Sequence, residues 1–154
     1  MSHKLVKKMS EFIKVSMQTK NTLQLNAGRN IKAVAQDIAL RDKRKELKDE
    51  DIIVAATKNK KEAVESMNIY RAFDTPVAND NFAKAYHLDL VCDMFLPAQL
   101  TILEITYKVQ KIISELNAST MKDMGKVMKQ FKEENPVGTF DAKLVSTTIK
   151  DVLK

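Results

Sequence analysis

An all-α protein of about seven helices is predicted by three features of the sequence. Apolar residues recur at i, i+3, i+4 and i+7 through most of the chain, the spacing of one helical face. Only three glycines and three prolines occur in 154 residues, which leaves little material for turns. Lys, Leu, Ala, Met and Glu, all good helix formers, dominate. No segment keeps the two-residue period of a half-buried strand.

Leu5, Val6, Met9, Phe12 and Ile13 mark a first amphipathic helix over roughly 3–18. Asn21 or Thr22 caps a second that runs to about Asp42, with Ala27, Ile31, Val34, Ala35 and Ile38 on its apolar side. The stretch "RDKRKELK" at 41–48 is too charged to bury and reads as a connection. Asp49, Glu50 and Asp51 place negative charge where a third helix begins, which the helix dipole favours. That helix continues to about Phe73, with Ile53, Ala56, Ala63, Met67 and Tyr70 facing inward.

"DTPVANDN" at 74–81 is a loop by composition, and Asp80 is the expected N-cap of a fourth helix that ends near Phe95. Pro97 stops it, because the residue before a proline is pushed away from helical angles. Thr101 and Glu104 form a capping box ahead of the fifth helix, striped by Ile105, Val109, Ile112, Ile113 and Leu116. Ser119 or Thr120 opens the sixth helix, and "NPVGTF" at 135–140 breaks it. Asp141 caps a seventh that carries Leu144, Val145, Thr148, Ile149 and Val152. These elements divide into an N-terminal, hairpin-like helical subdomain over 1–98 and a C-terminal bundle of three helices over 99–154.

Charge is unevenly spread. Residues 1–48 hold 12 Lys/Arg against 4 Asp/Glu, residues 49–118 hold 7 against 11, and residues 119–154 hold 7 against 5. Two basic ends around an acidic middle point to a polyanionic partner. The single cysteine, Cys92, excludes an intrachain disulfide and any cysteine-based zinc site. Set among Leu90, Val91 and Phe95, it reads as a small core residue. No run of about 18 apolar residues is present, so no membrane span is expected. Residues 1–20 are basic and amphipathic, but they hold no arginine and their period runs on. They read as a first helix rather than a targeting segment, and a cytoplasmic location is expected.

Nothing marks a catalytic or metal centre, and no cofactor is expected. His3 and His87 lie far apart, and the pair Asp89 and Asp93 at i, i+4 reads as a solvated face. Gly28, Gly125 and Gly138 are too scattered for a phosphate loop. The basic residues are the informative remainder. Lys122, Lys126, Lys129 and Lys132 recur at i, i+4, i+7 and i+10, and Lys58, Lys60 and Lys61 crowd the third helix. Both groups are candidates for phosphate contacts. With no tryptophan and most aromatics on apolar stripes, a stacking platform for single strands is disfavoured and folded RNA favoured. Gly125 interrupts the sixth helix at a cost of about 1 kcal/mol relative to alanine. The expected compensation is the close approach of a neighbouring helix.

"KDMGKVMKQFK" followed by "GTFDAKLVSTTIKDVLK" closely resembles the C-terminal signature of the GatB/YqeY family. "FLPAQLT" at 95–101 resembles that family's linker, "KNKKEAVES" at 58–66 and "GRNIKAV" at 28–34 its upstream segments. The resemblance runs the length of the chain, with departures at Gly28, Ala63, Met67, Lys129 and Ala142. It implies an N-terminal helical subdomain and a C-terminal three-helix unit. In relatives this unit is the tail of the B subunit of the glutamine-dependent aspartyl/glutamyl-tRNA amidotransferase, and a similar unit is appended to some glutaminyl-tRNA synthetases. There it helps to hold tRNA. Family descriptions mention carbon–nitrogen ligase activity with glutamine as amide donor, but that enzyme's catalytic parts are absent from this chain. The expected function is therefore a non-catalytic tRNA- or RNA-binding accessory module. The alternative is a protein-interaction module that docks on a synthetase, an amidotransferase or the translation apparatus.

Overall fold

The computed structural model describes residues 3–136 and 138–154, which hold seven α-helices, a short 3-10 turn and no strand. Helix accounts for 77% of the structure, so the all-α class stands. The helices are α1 (Lys4–Gln18), α2 (Thr22–Arg41), α3 (Asp49–Tyr70), α4 (Pro76–Phe95), α5 (Ile102–Leu116), α6 (Met124–Glu134) and α7 (Ala142–Val152). The chain falls into two compact units, Met1–Leu96 and Pro97–Lys154. No helix is long and apolar enough to cross a membrane among the described residues.

The first unit packs α3 along α4, with α2 against both and α1 laid over α2 and α3. Met9, Ile31, Ile52, Ala55, Ala56, Val91, Cys92 and Phe95 close its core. Each large apolar side chain buried there contributes roughly 1.5–3 kcal/mol. The inward stripe of α3 is Ile52, Ala55, Ala56, Asn59 and Ala63, one residue off the expected register at Ile53.

Local chemistry sets most boundaries. The Asn21 side chain accepts from Gln24 N at 3.1 Å to start α2, and Asp141 accepts from Lys143 N at 2.8 Å to start α7. The start of α4 corrects the expectation at Asp80. Thr75 is the N-cap, accepting from Ala78 N at 3.1 Å, and Pro76 follows it. Proline's fixed φ suits the first helical position, where its missing N–H goes unneeded.

Close helix approach occurs at Gly28, not at Gly125. A Cβ at Gly28 would lie 3.0 Å from Phe12 Cδ1 and 3.1 Å from Ile13 Cγ1, so α1 packs directly on the α2 backbone. Among the described residues, a Cβ at Gly125 would meet nothing within 4 Å. The position is exposed, and among the described residues the expected packing partner is not there.

Charged side chains also hold this unit together. Asp49 at the start of α3 accepts from Leu5 N at 2.9 Å and Val6 N at 3.0 Å, capping α1 from another helix. Arg44 grips Asp51 with both terminal nitrogens at 2.9 and 2.8 Å, and Asp51 also accepts from Lys48 N at 2.8 Å. The Arg44 hydrogen bonds hold the Asp51 carboxyl below the usual carboxylate range, against the opposing effect of burial. The "RDKRKELK" connection is thus pinned by its own arginine.

Candidate nucleic-acid interface

The second unit presents α6 from an apolar base. Val127 and Phe131 are fully buried against Ile105, Val109, Ile112, Val145 and Ile149. Phe131 meets Phe140 edge to face, with ring centroids 5.0 Å apart. The left-handed Asn117 ends α5, and a 3-10 turn over Met121–Asp123 leads into α6. Asp123 closes that turn by accepting from Ser119 N at 3.2 Å and Thr120 N at 3.3 Å. These backbone donors, Ser119 first, lower the Asp123 pKa.

The segment before α5 is stitched to the turn before α7. Gln99 Nε2 donates to the Gly138 carbonyl, and Leu100 N donates to the Thr139 carbonyl at 2.6 Å. Gly138 adopts φ 86°, a left-handed conformation that favours glycine. Sequence reasoning treated residues 95–101 as a linker and missed this role for Gln99, whose partner lies 39 residues away.

With Val127 and Phe131 facing the core, the opposite side of α6 must face outward. Lys122, Lys126, Lys129 and Lys132 are all exposed there, Lys122 on the 3-10 turn and the others on α6. The row is about 15 Å long at 1.5 Å per residue. Among the described residues its one ion pair is Lys126 with Asp123 at 3.8 Å, between side chains 77% and 25% exposed. So loose a pair holds little free energy and leaves the ammonium available. Glu133 is the acid that shares this side, four residues after Lys129.

The cluster on α3 is differently placed. Lys60 is half-buried and bonds Asp89 at 2.7 Å and Asp93 at 2.9 Å, clipping α3 to α4. Burial lowers the Lys60 pKa, but the hydrogen bonds to the two aspartates outweigh it and leave the net shift upward. Lys60 is thus engaged by both aspartates, with Asp89 largely covered and Asp93 still 54% exposed at its side chain. Lys58 and Lys61 are exposed, but Glu62 and Glu65 follow them at i+4, so that face carries no net charge. The α6 lysines share one face of the second unit, and the α3 cluster belongs to the first.

Cys92 is fully buried, and desolvation pushes its thiol up to about 12, so it stays protonated at neutral pH. No group of three or more metal-binding side chains comes together among the described residues.

Residues 6–153 match the family described as Yqey-like protein. The chain belongs to the YqeY-like family. No curated protein matches its sequence.

Proposed function

We propose that this YqeY-like protein is a non-catalytic accessory module that binds tRNA or another folded RNA through the α6 lysine face. The observation that carries the reading is the exposed lysine row, set opposite a fully buried apolar stripe and paired only loosely at Lys126. Mobile ammonium groups on a rigid helix suit phosphate oxygens, which fix position and carry no base code. Binding of this kind discriminates little among sequences and follows backbone shape. The resemblance to the tail of the tRNA-dependent amidotransferase B subunit supports the choice of tRNA.

Titration of the protein with folded tRNA over a salt series tests this. The expected result is micromolar or weaker affinity, with log affinity falling linearly against log salt by close to one unit per phosphate neutralised. No measurable affinity at low salt, or affinity indifferent to salt, rejects RNA. Docking on a protein of the tRNA-charging apparatus is then the better reading.

A further inference from the structure

Gly125 occupies a telling place in the lysine row. Gly125, Lys129 and Lys132 follow one another along one side of α6 at i, i+4 and i+7, with Lys122 three residues before the glycine on the 3-10 turn that leads into the helix. The glycine is therefore a gap in the row, with lysines on both sides. It is exposed, and a Cβ there would touch nothing within 4 Å among the described residues. Internal packing does not explain why this position lacks a side chain. Helix propensity gives glycine no advantage over alanine at this second residue of α6.

Such a glycine leaves a bare strip of backbone between cations. Glycine serves that purpose where a ligand must come close to the main chain. We infer that Gly125 marks a phosphate-contact subsite, at which the sugar–phosphate backbone of a bound RNA rests against α6 between Lys122 and Lys129. This rests on the RNA reading above and adds to it the point of closest approach. A side chain here would hold the polyanion away from the helix and lengthen every lysine–phosphate distance around it. Screening makes that distance costly, because charge interactions at a wet surface decay within about 10 Å at 0.1 M salt.

The inference requires stability and binding to move in opposite directions. In Gly125→Ala and Gly125→Leu, thermal melts should show a protein at least as stable as the wild type. Its tRNA affinity should fall by about tenfold for leucine, less for alanine, a loss of about 1.4 kcal/mol. The salt slope should keep most of its value, because every lysine is still present. Removing charge with Lys122→Glu, Lys126→Glu and Lys129→Glu should instead flatten the slope. If both glycine variants bind tRNA as the wild type does while the lysine variant loses affinity, the RNA reading stands and the subsite is wrong. If both melt at lower temperature, the position is not open and the inference fails at its premise. If the wild type binds no tRNA, the broader reading fails and the subsite with it.

Discussion

In the first unit Arg44, Lys60 and Asp49 are turned onto neighbouring helices, whereas in the second Lys122, Lys126, Lys129 and Lys132 are turned to solvent. Both units are rich in lysine, so composition alone does not separate them; what sets Arg44 and Lys60 apart from the α6 lysines is close pairing with carboxylates. Arg44 and Lys60 each lie within 3 Å of carboxylates, which leaves little for an external anion. Even Lys8 of α1 sits 5.1 Å over the Phe95 ring and bonds the Met94 carbonyl. A cation's availability is set by what the fold places beside it.

Removing an inward charge should have the largest consequence. Arg44→Ala leaves Asp51, only 5% exposed at its side chain, with no cationic partner. The loss should stand clear of the roughly 0.5 kcal/mol scatter of ordinary surface substitutions, because Asp51 then keeps only the Lys48 backbone donor in a largely covered place. Chemical denaturation reads this directly. A change under about 0.5 kcal/mol would put Arg44 among ordinary surface residues and erase the contrast between the units.

Acid should sharpen the same contrast. The folded-state pKa of Asp51 lies below its ordinary value of 3.8, so its contribution is complete above that value. It is lost as pH falls through the lower, folded-state pKa. Melts from neutral pH down to about 2 should show the wild type losing this increment below pH 4. Asp51→Asn, already without it at neutral pH, should show a shallower decline there. Parallel acid profiles for the two proteins would deny the pair its role.

The smallest effect belongs to the outward charge. Lys129→Ala should change stability by no more than about 0.5 kcal/mol, since it has no ion pair among the described residues. A larger loss would mean that the α6 lysines are structural after all.

How far the sequence could be read follows from the range of each interaction. Caps at Asn21, Thr101 and Asp141 were legible because donor and acceptor lie two or three residues apart. The helix start at Thr75 was equally local, but "DTPVANDN" has a loop's composition and masked the proline at the first helical position. On α3, Ala56 and Ala63 were legible as inward residues, but Ile52 is buried where Ile53 was expected, and Asn59, 1% exposed with no hydrogen-bond partner for its Nδ2 among the described residues, gave no apolar signal. The charge clips were beyond reach. Lys60 and Asp89 are 29 residues apart, and nothing in either segment names the other. Glycine spacing was equally mute on which glycine another helix would cover, because Phe12 and Ile13 decide that at Gly28 from a separate helix.

The most direct test of the account compares the two lysine groups in one assay. Lys122→Glu, Lys126→Glu and Lys129→Glu together, and Lys58→Glu with Lys61→Glu, are titrated with folded tRNA over the same salt series as the wild type. The α6 variant should lose most of its affinity and two to three units of slope, at about one unit for each phosphate no longer neutralised. The α3 variant should keep both close to the wild-type values. Equal losses in the two variants, or a loss confined to the α3 variant, would contradict the claim that the α6 lysine face, and not α3, meets RNA.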